Sequence, residues 1–352
     1  MNYIGSKASL LPFLEEGIRS RINKDARVFF DVFAGTGIVG WHFKQIGYQI
    51  VSNDVQYYAY CLNRSLVGIN DQPEFRRLRA VKSGVGEEKV EAVLDHLNRI
   101  PGETGFVFNN FCGGGTKRAK FRRLYFSDEN GQRCDAIRCL IESWWEEGQL
   151  EEDEYFYLLA SLIDAVDRVA NTASVYGAFL KHIKKSAMKP LQLGRLPLAE
   201  SKFHHPVLNM EGSKLIEQVE CDVLYMDPPY NHRQYAANYH VLETIARYDA
   251  PVLSGVTGLR PYQDQKSDFC VQKKALPALG DMISRSPARF VFLSYNSEGI
   301  MDKEDILTVM RKYGKASVTT IDRARFRADV DRENRVYKAD RVNEYLFCLE
   351  KM

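Results

Sequence analysis

Residues 27–54, RVFFDVFAGTGIVGWHFKQIGYQIVSND, decide the fold. Arg27 to Phe33 is a short apolar run, rich in aromatic and β-branched side chains, that breaks into Ala34-Gly35-Thr36-Gly37. A parallel strand buried on both faces reads this way, because neither face needs polar residues. From Ile38 to Ile46 apolar residues recur at helical spacing (Ile38, Val39, Trp41, Phe43, Ile46) and stop at Gly47, a residue suited to the turn past a helix end. Tyr48 to Ser52 reads as a second strand, closing on Asn53-Asp54. Strand, glycine turn, helix and a strand ending in an acid make the first half of a doubly wound α/β sheet.

The same alternation returns late in the chain. Asp222 to Met226 (DVLYM) runs into Asp227-Pro228-Pro229-Tyr230, Phe290 to Ser294 (FVFLS) reads as another buried strand, and Ala316–Ile321 with Asn343–Leu349 as a last pair. Between the halves, from Tyr60 to His205, the pattern changes to two amphipathic helical stretches, about Glu87 to Asn98 and Asp153 to Ala170, and to glycine-rich basic loops. The economical reading is an insertion into one sheet domain: 1–59 and 207–352 form the sheet, and 60–206 is inserted and largely helical.

Composition narrows the class. With 352 residues, 45% of them apolar, and 48 Lys+Arg against 46 Asp+Glu, the chain is a folded protein, and its net charge of +2 still permits one strongly basic face. No run approaches the ~18 apolar residues of a membrane helix. The opening MNYIGSKASL has no signal-peptide core, so a soluble cytoplasmic protein, monomer or weak dimer, without membrane contact is expected. The seven cysteines are odd in number, scattered and without a C-x-x-C pair, which reads as reduced thiols. Cys134, Cys139, His204 and His205 match no zinc spacing, so no metal is expected.

The glycine turn, GTGIVG at 35–40, together with Asp54 at the tip of the next strand, fits either of two cofactors. NAD and S-adenosylmethionine both carry a ribose whose hydroxyls a carboxylate there can accept, and a plain tight turn without ligand is the third reading. Asp31, four residues before Gly35, weighs towards S-adenosylmethionine, because negative charge suits a cationic cofactor better than a pyrophosphate.

Asp227-Pro228-Pro229-Tyr230 closes a strand of the second half, and open α/β sheets bind ligands at the carboxyl ends of their strands. Two prolines remove two N–H donors and leave carbonyl acceptors beside a carboxylate and an aromatic ring. Such a site suits a substrate nitrogen that donates two hydrogens, as the exocyclic amine of a base does. Accepting both at Asp227 and the Pro228 carbonyl favours a pyramidal nitrogen with a localised lone pair, which is stabilisation confined to the transition state. Tyr230 is placed to stack on the base, which must leave a duplex to be reached. Alternatively, the tetrapeptide is only a rigid strand exit.

Here the sequence resembles the alpha-group (Dam-like) DNA adenine methyltransferases. The resemblance rests on Asn2–Lys7 (NYIGSK), Asp31–Gly37 (DVFAGTG), Asn53-Asp54, Asp227–Tyr230 (DPPY) and the strand segment Phe290–Ser297, in that order and around a long insertion. It implies a Rossmann-like methyltransferase sheet whose insertion is the target recognition domain. It also implies that Tyr3, Ile4, Gly5 and Lys7 wrap the cofactor, that Asp31, Phe33, Ala34, Gly35 and Gly37 meet its methionine part, and that Asp54 binds ribose. Glu211 stands where the family often has an Asp against the adenine. The implied activity is methyl transfer from S-adenosylmethionine to adenine in double-stranded DNA at a specific site, with S-adenosylhomocysteine as product, beside a cognate restriction endonuclease. Cytosine N4, adenine in RNA, or a silent DNA-binding subunit are the rival readings.

Two clusters in the insertion are candidate phosphate contacts: KRAKFRR at 117–123, with Lys117, Arg118, Lys120, Arg122 and Arg123, and KHIKKSAMK at 181–189, with Lys181, Lys184 and Lys185. After the catalytic turn, His232, Arg233 and Tyr235 are candidates for contacting the flipped nucleotide or filling its gap. An arginine-rich stretch, 323–341, is a weaker candidate because Asp residues interleave it.

Overall fold

A computed structural model describes residues 6–81, 84–324 and 341–352. The described residues divide into two compact units, one of residues 56–81, 84–200 and 236–263, the other of 6–55, 201–235, 264–324 and 341–352.

The second unit holds a seven-stranded sheet of β1 (Val28–Asp31), β2 (Gln49–Asn53), β3 (Val207–Leu208), β4 (Val223–Met226), β5 (Phe290–Asn296), β6 (Gly314–Ala324) and β7 (Arg341–Lys351), in the order β3-β2-β1-β4-β5-β7-β6. The first five run parallel, while β7 pairs antiparallel with both β5 and β6. Every residue of β5 is buried, as a central strand covered on two faces requires. On one face Phe30, Leu224, Met226, Val291 and Leu293 pack with Leu279, Met282 and Ile283 of helix Gln272–Arg285 and with Ile306 and Met310 of helix Lys303–Arg311. On the other, Phe29 stacks on Phe43 of helix Ile38–Gln45 with ring centroids 4.4 Å apart. Helix Leu11–Arg19 approaches β7 so closely that a Cβ at Gly17 would lie 2.5 Å from a Leu346 methyl. The sheet is therefore doubly wound, and its order reverses between β1 and β4, which is where such sheets take their ligands.

The first unit has no strand among its described residues and is built of helices, the longest being Asp128–Glu146 and Glu152–Arg168. Polar side chains cap its helices from a distance. The Asp135 carboxylate accepts the N–H groups of Gly105, Val107 and Phe108 at 2.8–3.0 Å, at the start of helix Phe106–Phe111. Glu243, 1% exposed, accepts those of Tyr57 and Tyr58 at the start of helix Tyr57–Asn63. Each capped start leaves donors that no intrahelical carbonyl can meet, and the carboxylate also complements the helix dipole. The Glu243 contact is one reason that 236–263, expected to lie with the sheet, belongs to the helical unit.

Candidate functional site

Strand ends at the reversal of order gather the candidate residues. Asp31 closes β1 and pairs in register with Tyr225, two residues before Asp227 at the end of β4. The chain leaves β1 through Gly35 and Gly37, at φ +53° and +80°, a backbone region that side chains disfavour. The Ala34 N–H donates to the Asn53 carbonyl at 2.9 Å and the Gly35 N–H to Asp54 Oδ2 at 2.8 Å, so the glycine turn is fastened to the tip of β2. Asn53 and Asn209 extend the fastening. Asn53 Nδ2 donates to the carbonyls of Val32 and Met210 at 3.1 and 3.0 Å, and Asn209 Nδ2 to that of Asp54 at 2.7 Å.

Asp227 Oδ1 lies 3.0 Å from the Lys7 ammonium, with the two side chains 21% and 6% exposed. Pro228 is buried, and Pro229 and Tyr230 are half-buried. Beyond them the loop is pinned, because the Tyr230 carbonyl accepts the Ile300 N–H at 2.9 Å and the Tyr295 hydroxyl at 3.4 Å. Among the described residues no N–H donates to the Pro228 carbonyl.

The basin is strongly acidic. Asp31 is 1% exposed, and among the described residues neither carboxylate oxygen has a hydrogen-bond partner of ordinary geometry. Burial, then the charges of Asp227 and Asp54, push its pKa well up, and the Phe33 N–H offsets this only in part. Burial also raises Asp227, against the pull of Lys7. On β7, Glu344 is raised by burial, with one buried oxygen lacking a partner among the described residues. Burial works against the charge of Lys7, but the carboxylates of Asp227 and Glu344 outweigh it and hold Lys7 protonated. A buried carboxylate that pairs with no cation among the described residues, with other carboxylates acting on it, fits a cationic ligand and repels a pyrophosphate, so the residues present fit S-adenosylmethionine better than NAD.

Other candidates fall in different surroundings. Tyr3, Ile4 and Gly5 lie outside the described residues, as do 325–340 of the arginine-rich stretch. Phe33 meets Phe269 edge-on at 5.4 Å, and Ala34 is buried. Glu211 is exposed and turned to its neighbours, accepting from Ser213 Oγ at 2.6 Å and pairing with Lys214 at 3.2 Å, an arrangement that leaves it facing solvent. Lys117, Arg118, Lys120, Arg122, Lys181 and Lys185 are exposed, as cations offered to phosphate must be. Arg123 differs from its neighbours in the run. It is 8% exposed, and its guanidinium donates to the carbonyls of Asn110, Gly255 and Val256 at 3.0–3.1 Å. Lys184 is likewise engaged internally, donating to the Thr172 carbonyl at 2.7 Å. His232 and Arg233 are exposed and Tyr235 half-buried; the loop beneath them is held by Gln234, which exchanges two hydrogen bonds with the Ser267 backbone.

Comparison with known proteins adds one family and three relatives. The sequence model of the D12 class N6 adenine-specific DNA methyltransferases matches residues 3–309. The chain is 42% identical to the Type II methyltransferase M.NlaIII of Neisseria lactamica, over 100% of this chain and 99% of that protein. It is 37% identical to the Type II methyltransferase M.FokI of Planomicrobium okeanokoites and 33% identical to Modification methylase StsI of Streptococcus sanguinis, in each case over 100% of this chain but only 53% and 52% of the longer relative.

Proposed function

Because the chain belongs to the D12 class N6 adenine-specific DNA methyltransferases, we propose that the acidic basin at the β1–β4 reversal is where it methylates the exocyclic amine of adenine in double-stranded DNA. The carrying observation is Asp31, buried and paired with no cation among the described residues, beside a Lys7–Asp227 ion pair at the start of an acceptor-rich turn. The chain is an adenine-specific DNA methyltransferase of the type II modification kind, and a restriction endonuclease of the same specificity is its proposed companion.

When bound, S-adenosylmethionine supplies a methyl group on a positively charged sulfur and departs as S-adenosylhomocysteine. Asp31 balances the cationic end of that ligand, Gly35 and Gly37 let the backbone approach it, and Asp54, steadied by the Gly35 N–H, accepts ribose hydroxyls. Lys7 favours the ionised form of Asp227 against the effect of burial. The other Asp227 oxygen and the Pro228 carbonyl accept the two amine hydrogens, which draws the nitrogen lone pair out of ring conjugation as the nitrogen bonds to the methyl carbon. Donors at either place would tie that lone pair up. Tyr230 offers its ring to the base, which is reached only after the nucleotide rotates out of the duplex. Once the N–C bond has formed, the nitrogen sheds a proton, and Asp227, whose proton affinity burial has raised, is suited to take it. The exposed cations of 117–122 and 181–185 hold phosphates.

The direct test is incubation with unmethylated genomic DNA and labelled cofactor, followed by single-molecule mapping of modified bases. N6-methyladenine at one recurring sequence is expected; label on cytosine N4, or on RNA alone, would overturn the reading.

A further inference from the structure

Residues 249–260, DAPVLSGVTGLR, are braced at three levels although most of them serve no core. At the base, Arg260 grips Asp249 through two parallel hydrogen bonds of 3.1 and 2.7 Å. Midway, Ser254 and Leu259 exchange both backbone hydrogen bonds, at 2.9 and 2.8 Å, a single antiparallel bridge that closes a four-residue tip. At the tip, Arg123 holds the carbonyls of Gly255 and Val256. The tip glycines suit this clamp. Gly255 and Gly258 have φ of +68° and +69°, and a Cβ on Gly258 would sit 2.8 Å from Arg123 Nε.

Bracing of this kind usually accompanies burial, yet Val252 is 86% exposed and Val256 55%. Packing therefore does not account for it. Among the described residues no carboxylate pairs with Arg123, and residues 250–259 contain no charged side chain, so a positive charge stands behind an uncharged tip. The basic loop that carries the exposed Lys117, Arg118, Lys120 and Arg122 ends on this same arginine.

We infer that the braced 249–260 loop enters a groove of the DNA and reads part of the target sequence, an inference that rests on the DNA-methylating function proposed above. The major groove admits a two-stranded ribbon, and a loop closed by a single bridge is no wider than that. Val256 suits a thymine methyl group, and the hydroxyls of Ser254 and Thr257 can accept or donate at base edges. The neighbouring cations engage phosphates and set the register without reading sequence. Rigidity has a purpose here, because a loop ordered only on binding would lose affinity and discrimination to the ordering. Arg123 thus contributes to DNA recognition from behind, as a positioning residue.

The test compares the wild-type enzyme with the triple variant Ser254→Ala, Val256→Ala, Thr257→Ala and with the pair Lys117→Ala, Arg118→Ala. For each, kcat/KM is measured on the mapped target and on every single-base variant of it, and DNA binding is followed against salt. The tip variant should lose about fivefold or more in discrimination at one or more positions, the size of one base contact, with its salt dependence unchanged. The cation pair should do the reverse, with a shallower salt slope and intact discrimination. A tip variant that discriminates as wild type at every position overturns the inference while leaving adenine methylation standing. So does a tip variant whose only change is in self-association, measured by sedimentation. Should the wild type methylate no adenine, p-benzoylphenylalanine in place of Val256 still decides the matter: crosslinking to duplex DNA supports the loop as a DNA contact, and its absence sinks it.

Discussion

The Lys7 ammonium lies 3.0 Å from Asp227 Oδ1, and both side chains are largely withdrawn from water. Burial alone drives Asp227 towards its neutral form, and Lys7 is the group that opposes this. A neutral Asp227 would present a donor where the amine needs an acceptor. Lys7→Met should therefore move the acid limb of the single-turnover rate profile to higher pH and depress the rate more at pH 6 than at pH 8, with Lys7→Arg recovering most of the loss. An acid limb that does not move would leave Lys7 as a merely structural contact.

Asp227 itself separates chemistry from binding. Asp227→Ala removes the acceptor and should lower the transfer rate by about two to three orders of magnitude, in line with the loss of one group stabilising a transition state. Cofactor binding, followed by calorimetry, should survive in part because Asp31 and Asp54 remain. Full retained transfer would remove the proposed role.

Asp31 carries a cost in stability when no cation balances it. Its folded pKa is raised, so the stability associated with its protonated form is present at low pH and lost as pH rises through that value. At pH 7.5, Asp31→Asn should raise the melting temperature of the ligand-free protein by about 2–4 °C, a gain that shrinks on acidification. The same change should weaken cofactor binding by about tenfold or more, as expected when a buried charge loses its partner. A variant that melts lower and binds the cofactor as well as wild type would contradict both halves.

Residues buried by sheet geometry were legible in the sequence, and residues buried by polar contacts were not. The run ending at Asp31, the turn at Gly35 and Gly37, and the strand feeding Asp227 could be read because parallel strands force apolar runs and left-handed turns favour glycine. Helix Asp128–Glu146 was missed because its inward face includes Asn130, Asp135 and Arg138, which blur the apolar stripe. The two residues of β3 are too few to make a pattern. Arg123 looked like its neighbours in a cationic run, since composition does not reveal which guanidinium turns inward to three carbonyls. Glu344 and Asn209 gave no signal either, because their importance comes from where β7 and the segment after β3 lie in the sheet.

The cations of the 117–123 run should separate in experiment as they do in space. Neutralising exposed Lys117, Arg118 and Lys120 should reduce the slope of log binding constant against log salt by about 0.9 for each phosphate that the protein no longer neutralises, with little effect on folding. Arg123→Met should instead destabilise the helical unit, because it leaves the carbonyls of Asn110, Gly255 and Val256 without their donor, at a cost of about 2–4 kcal/mol in urea unfolding. An unchanged slope in the triple variant would place the DNA on another surface.

Two buried histidines make acid stability a test of both units. The Nδ1 atom of His205 accepts the Ile50 N–H at 2.9 Å, and His240 Nε2 faces the Tyr176 carbonyl at 3.0 Å. Burial pulls each pKa down from 6.5 to about 4. The depressed folded value means that each stabilises the fold above pH 6.5, where folded and unfolded forms are both neutral. That stability is lost as pH falls towards 4, because only the unfolded chain can easily take up the proton. The loss is of the order of 3 kcal/mol per histidine across the window. His205→Asn keeps an acceptor for Ile50 without a titrating ring, so its urea midpoint should start lower than wild type at pH 7.5 and fall less between pH 6.5 and 5, where most carboxylates are still ionised. Parallel losses in variant and wild type over that interval would show that His205 is protonated in the folded protein.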